Sequence, residues 1–447
     1  MSQSTSPVLK RFLLPLSLPL VLAACGIGDW FGESDAPPLP GQRIAILAYE
    51  RGLRADPTLA DTVVRLPEPY VNTDWSQPGG SAAHAMYHLS LSANPRRVWS
   101  VDIGQGSGSV AQLLAEPIVV GDRVYTMDSR SLVSAFSTSG GSRLWQVDLR
   151  DREEPDGYFG GGIAAGGDRV FVSTGFARVF GLDAASGETQ WIHRAPSPIR
   201  GAPVVSDGRV FVVTLDNQLL VLNAETGERL WNHVGVQETA GLLGSASPAV
   251  ARNTVVVPYS SGELLALLAD DGRSVWSENL SAIRRLDPLG DIAQVRGLPV
   301  IDRDLVLAVS HAGRMMAVDL RQGVRAWQAE IGGVQMPWAA GDYVYLVTND
   351  SQVVCLQRSD GRIRWVTPLP RFVDEAAQEN PIRWRGPVLA GDRLILAGSH
   401  GEVISMSPYD GRAIGAISLG EGAAVAPVVA DNSLYLITDS GQLVALR

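Results

Sequence analysis

The sequence is poor in cysteine, lysine and helical periodicity, and each shortage excludes something. Two cysteines stand in 447 residues, Cys25 and Cys355. If Cys25 is modified, Cys355 is alone, which excludes an intrachain disulfide, a cysteine-based zinc site and a haem attachment motif. Cys355, in "SQVVCLQ", reads as a small buried hydrophobe within a strand. Lys10 is the single lysine, all other basic residues being arginine, a bias that codon usage accounts for. The net charge of −10 becomes −12 once residues 1–24, with Lys10 and Arg11 and no acid, are set aside. That balance excludes a nucleic-acid binder. No segment between 97 and 447 sustains a helical period, and no G-x-S-x-G, phosphate loop or H-E-x-x-H occurs.

The start of the chain holds Lys10-Arg11 ahead of an apolar stretch of eleven residues, Phe12 to Leu22, interrupted by Pro15 and Pro19. A bilayer span needs about 20 residues, so the stretch reads as a secretion signal. "Leu22-Ala23-Ala24-Cys25-Gly26" follows, and it resembles the bacterial lipobox. The resemblance implies cleavage after residue 24 and lipid attachment at Cys25. Two or more acyl chains anchor stably, and Gly26 after the cysteine implies passage to the outer membrane. Residues 25–74, with "SDAPPLPGQ", are expected to be a lipid-anchored tether, and residues 75–447 the globule.

What the globule has in plenty is glycine, 47 residues, and a tryptophan period. Trp99, Trp145, Trp191, Trp231, Trp276, Trp327 and Trp365 are spaced 46, 46, 40, 45, 51 and 38 residues apart. A period of that length points to propeller blades. In "APVVSDGRVFVVTLDNQLLVLNAETGERLWNHV", residues 202–234, short apolar or alternating runs are separated by Gly, Asn and Asp. These are antiparallel strands with tight turns. Seven complete units are expected at 117–149, 160–193, 202–234, 247–280, 298–331, 336–369 and 386–419.

An eighth unit begins at 426 and lacks its Trp strand at Arg447, while "RRVWSVDIG", residues 96–104, is a Trp strand without opening strands. Pairing the two removes an exposed sheet edge. The expected fold is all-β, an eight-bladed propeller of four-stranded antiparallel blades whose N- and C-terminal strands share one blade. In the seventh unit Gly415 stands where the others have Trp, which predicts a weaker inter-blade contact unless Trp384 compensates.

Candidate chemistry is sparse. His311 and His400 occupy equivalent places in two units and read as turn residues between the first two strands. His84 and His88 have i,i+4 spacing without a partner acid or cysteine, so no metal site is assigned. The Gly clusters at 106–109 and 160–162 precede no helix, which argues against anion binding there. No catalytic residue, cofactor site or metal site is expected. The Trp repeat resembles the quinoprotein dehydrogenases, but the vicinal cysteine pair that resemblance implies is absent.

Signal, lipobox, tether and eight PQQ-like units resemble the BamB family, lipoproteins of the machinery that inserts β-barrels into the outer membrane. The resemblance implies a non-catalytic scaffold anchored in the outer membrane and facing the periplasm. It implies docking to the POTRA domains of BamA as a monomer within a hetero-complex. Two loops match the family's contact loops. In 238–248, "ETAGLLGSASP", Ala240 and Leu242 take the apolar positions and Leu243 replaces an Arg. In 284–299, Asp291 fits the first of two acids and Ala293 stands at the second. Plain surface loops are the alternative for both. A PQQ-dependent dehydrogenase-like quinoprotein, or another envelope-binding propeller, is the alternative for the whole.

Overall fold

Each tryptophan-marked unit folds into the four-stranded antiparallel sheet its pattern predicts. The structure is a computed structural model and describes residues 52–108, 111–150, 160–237, 244–281 and 294–447. Blades 1 to 7 span 118–148, 161–194, 204–234, 249–279, 300–329, 338–368 and 384–418. Blade 8 combines Val428–Ala430, Ser433–Ile437 and Gln442–Leu446 with Arg97–Asp102 as its outermost strand. Trp99 pairs with Ala445 and Asp102 with Gln442, so the ring closes between opposite ends of the propeller sequence as expected. Among the described residues the only helical element is a 3-10 turn, Pro57–Leu59. A hairpin that the repeat does not foreshadow, Phe372–Asp374 with Glu379–Pro381, lies between blades 6 and 7.

The middle strands are continuous apolar runs because both of their faces meet neighbouring blades. In blade 3, Val210, Phe211, Val212, Leu219, Leu220, Val221 and Leu222 are all buried. The outermost strand faces solvent on one side and alternates. It also carries a bulge: in blade 3 Trp231 pairs with Val221 but Arg229 with Leu222, leaving Leu230 unpaired and exposed. The same register shift recurs in the outermost strands of all eight blades. A bulge increases local twist and re-aims a side chain, here toward the next blade.

Each re-aimed tryptophan staples its blade to the one that follows. The indole N–H of Trp99, Trp145, Trp191, Trp231, Trp276, Trp327 and Trp365 donates to the backbone carbonyl of Thr138, Ala184, Ala224, Ala269, Leu320, Arg358 and Pro408, at 2.7–3.1 Å. The receiving turn joins the third and fourth strands of the next blade, and a glycine lies under the ring in every case. A Cβ on Gly227 would come within 2.5 Å of Trp191, and its φ of +73° is left-handed. Gly141, Gly187, Gly272, Gly323, Gly361 and Gly411 repeat this geometry. Only glycine meets both demands.

Gly415 is the exception, and its surroundings explain it. The receiving turn would have to join the third and fourth strands of blade 8, which come from opposite ends of the chain. There, Arg96 and Arg447 exchange two backbone hydrogen bonds, of 2.7 and 3.0 Å. Nothing lies within 4 Å of a Cβ built on Gly415. Trp384 does not compensate: its indole N–H donates to Pro370 O at 2.8 Å and its ring packs on His400. His311 and His400 follow the second strands of blades 5 and 7, not the first. The alternating run places them there, because the Gly/Asp turn ahead of that run already separates strands one and two.

Residues 53–92 pack on the ring, although 53–74 fall within the expected tether. Tyr343 Oη donates to Val63 O, and Arg364 Nε to Thr62 O at 2.8 Å. From Asn72 to Leu89 the chain then circles one end of the propeller. Asn72 bonds blade 8 at Val429 and Asp431, Trp75 pairs with Val119 of blade 1, and Ser76 O accepts from Ala165 of blade 2. Gln77 bonds Val205 of blade 3, and Ala82 O and Ala83 O accept from Val250 of blade 4 and Ile301 of blade 5. Tyr87 O accepts from Trp338 of blade 6, and Leu89 pairs with Leu389 and Gly391 of blade 7. The innermost strands are thereby capped, one blade after another, on an edge whose polar groups would otherwise lack partners.

Candidate functional site

Two places combine access with chemistry: the bases of the two expected contact loops and the pocket on the propeller axis. Cys25, Ala240, Leu242, Leu243 and Asp291 lie outside the described residues. The described flanks of the two loops meet, however. Gln294, ahead of blade 5, donates from Nε2 to Gly244 O, ahead of blade 4, at 3.2 Å and out of contact with solvent. Both loops therefore leave the ring from adjoining points.

The axial pocket, of about 150 Å³, is lined by residues leading into the innermost strand of all eight blades. Trp75, Pro78 and Gly79 of the capping segment line it, and Trp75 stacks on Trp338 with ring centroids 6.2 Å apart. A wider recess of about 540 Å³ shares part of its lining, with His311, Arg383 and Asp439 also on its wall. Charge enters the axial pocket from alternate blades: Glu116 ahead of blade 1, Arg200 ahead of blade 3, Arg296 ahead of blade 5 and Arg385 in blade 7. The intervening blades offer small or neutral residues such as Gly161, Ser245, Met336 and Ala426. A Cβ on Gly201 or Gly297, each directly after an arginine, would approach a backbone oxygen of the following blade to 3.0 or 2.5 Å.

The charged side chains of this pocket are half-buried, so water screens them only in part. Burial pushes the Glu116 carboxyl up to about 7, against the opposing pull of the Gly79 N–H and Arg385. Arg385 is lowered to about 10 by burial and by Arg296 and Arg383. Its Nε is shielded from solvent and bonds nothing. Sequence reasoning passed over this cluster. The available signal was an Arg-Gly ahead of proline, recurring at 200–203, 296–299 and 385–387.

The histidines have structural roles. His84 Nδ1 meets Pro299 O at 2.7 Å, and burial lowers the imidazole to about 4, so it is neutral at pH 7. His88 meets Pro67 O through Nδ1 at 2.7 Å, while its Nε2 accepts from the Asp392 backbone N–H at 3.0 Å. Cys355 is buried in the third strand of blade 6 and its thiol is pushed up by that burial. Among the described residues no three His, Cys, Asp or Glu side chains are placed to hold a metal.

The fold thus defines an eight-bladed propeller of tryptophan-stapled, PQQ-like repeats, with a capped axis. The family described as outer membrane protein assembly factor BamB matches over residues 129–367, and the chain belongs to that family. It is 27% identical over 358 residues to outer membrane protein assembly factor BamB of Yersinia pestis, covering 79% of this chain and 88% of that one. Among solved structures, BamB from Moraxella catarrhalis superposes with a TM-score of 0.64 at 20% identity, over 79% of this chain and 98% of the other. Quinohemoprotein alcohol dehydrogenase from Comamonas testosteroni superposes with a TM-score of 0.63 at 15% identity, over 87% of this chain and 82% of the other. At such identities these superpositions speak for the fold alone.

Proposed function

We propose that this protein is a non-catalytic scaffold of the outer-membrane β-barrel assembly machinery, held in the outer membrane by lipid on Cys25 and facing the periplasm. Residues 1–24 act as the signal peptide, and the stretch from Cys25 leads to the propeller. The protein docks to the POTRA domains of BamA through loops 238–248 and 284–299, with Ala240, Leu242, Leu243 and Asp291 at the contact. It works there as one copy within a hetero-complex and takes no part in bond making.

The observation that carries this reading is membership of the BamB family, matched over residues 129–367, in a chain whose strands complete an eight-bladed ring. The bond between Gln294 and Gly244 supports a single docking patch, since it holds the bases of the two loops together. Loops between rigid elements are where binding residues concentrate. An apolar anchor at the centre of an interface contributes about 2 kcal/mol or more, roughly thirtyfold in affinity.

Calorimetric titration with the POTRA domains tests the reading. The double variant Leu242→Asp, Leu243→Asp is expected to weaken binding at least about thirtyfold, and Asp291→Arg to weaken it more modestly, both with parental melting temperatures. Full affinity in the folded variants would remove these loops from the interface. A parent that fails to bind would remove BamA as the partner. Cys25→Ser is expected to leave the outer-membrane fraction, and retention there after a high-salt wash would refute the anchor.

A further inference from the structure

The capping segment is held at its middle by a histidine that docking of a partner on outer loops does not use. His84 is 2% exposed, and its Nδ1 donates to Pro299 O at 2.7 Å. The proton thus sits on Nδ1 and leaves Nε2 as the basic nitrogen. That Nε2 is shielded from solvent and bonds none of the described residues. The surroundings are apolar or small: a Cβ on Gly79 would lie 2.9 Å from Met336 Sδ and 3.0 Å from His84 Cδ2. Ala83 and Ala85, on either side in the chain, pack into apolar clusters of the ring. A second proton on His84 would therefore bury a cation whose new donor has no acceptor.

No counter-charge stands ready for it. Blade 4 offers no charged residue along 244–251, nor does blade 6 along 333–340. On the approach to blade 5, Arg296 and Asp302 lie either side of Pro299, and Asp302 is already paired with Arg303 and Arg358. Glu116, ahead of blade 1, accepts from the Gly79 N–H. Burial lowers the His84 imidazole to about 4, and only the Pro299 carbonyl pulls the other way. His88, four residues on, differs, since the Asp392 carboxylate is 3.8 Å from its Nε2.

The backbone here is held against its own preference. His84 and Tyr87 have φ of +59° and +52°, a left-handed conformation that non-glycine residues keep only where their surroundings impose it. The stretch 81–84 meets blades 4 and 5 through the Val250 N–H on Ala82 O at 2.6 Å, the Ile301 N–H on Ala83 O at 2.9 Å, and His84 itself. We propose that His84 is an acid-sensitive latch: protonation at Nε2 frees residues 81–84 from blades 4 and 5, while the ring and both ends of the capping segment stay closed. Release uncovers the inner edges of those two blades. Pro78 and Gly79, next along the segment, line the axial pocket, so release also opens that pocket from its capped end.

A docked imidazole less basic than a free one stabilises docking fully above about pH 6.5, and that contribution is lost as pH falls toward about 4. By this linkage the opening constant of the stretch rises about thirtyfold between about pH 7.5 and about pH 5. Hydrogen–deuterium exchange on the purified protein at these two pH values, corrected for the intrinsic exchange rate, reads that change. Val250 and Ile301 are expected to lose protection about thirtyfold at the lower pH. Val119, which donates to Trp75 O, and Gly391, which donates to Leu89 O, are expected to keep theirs. His84→Asn retains a donor near the place of Nδ1, tolerates a left-handed φ and does not titrate, so the pH response should vanish whatever the variant's own stability. Glu116→Gln, which fixes that carboxyl neutral, should retain the response. Unchanged protection of Val250 and Ile301 in the parent, an equal loss at Val119 and Gly391, a response that persists in His84→Asn, or one that disappears in Glu116→Gln would each overturn the proposal.

Discussion

Seven blade junctions and one seam hold this ring together, and they use different means. At each of the seven, an indole crosses to a glycine turn and donates to its carbonyl. At the seam between blades 7 and 8, Gly415 projects nothing, and Arg97 of blade 8 reaches back instead to donate to Leu419 O at 3.3 Å. The difference teaches that the tryptophan belongs to a pair. It has a use only where a covalent turn lies opposite, and blade 8 joins its third and fourth strands by hydrogen bonds alone. The seam is still apolar at depth, since Leu389, Leu396, Val428 and Leu436 share one buried cluster across it.

The contrast can be broken most severely by deleting residues 440–447. This removes the strand Gln442–Leu446 and leaves Arg97–Asp102 without a neighbour. Aggregation, or a melting temperature far below the parent's, is expected by light scattering and calorimetry. An unchanged melting temperature would mean the shared blade is dispensable. Next in size, Trp191→Ala should cost about 3–5 kcal/mol in denaturant unfolding, because the ring is buried against Gly227.

The glycines sharpen the comparison further. Gly227→Ala would place a methyl within 2.5 Å of Trp191 at a φ of +73°, costing about 2–4 kcal/mol from strain and overpacking together. The smallest effect, of opposite sign, is expected at the seam. Gly415→Ala fills open space in a strand and should stabilise by about 0.5–1 kcal/mol. If both alanines cost the same, the pairing of turn and tryptophan is not what distinguishes the junctions.

Much of this fold was legible because the staple is periodic. Seven tryptophans with glycine turns place every blade to within about two residues, and the missing outer strand of blade 8 identified its partner at 97–102. The capping segment was illegible for the opposite reason. Asn72, Trp75, Gln77 and Leu89 each contact a different blade through backbone or amide groups, so no apolar period accumulates. The loss of tryptophan at 415 was visible, but its cause lay in a turn elsewhere that the topology removes. Arg200, Arg296 and Arg385 read as loop residues one at a time. Only the ring brings them, from blades far apart in sequence, to one axis.

The circling path of residues 72–89 also sets an order of events. No blade alone can hold this segment, because its bonds are spread over all eight, only a few to each. Its partners are synthesised long after it: Asn72 awaits Val429, 357 residues further along the chain. Contacts of such sequence separation form slowly, since the closure entropy must be met before they contribute. The part of the propeller that is made first is thus the part that settles last, and its docking marks the moment when the ring is complete.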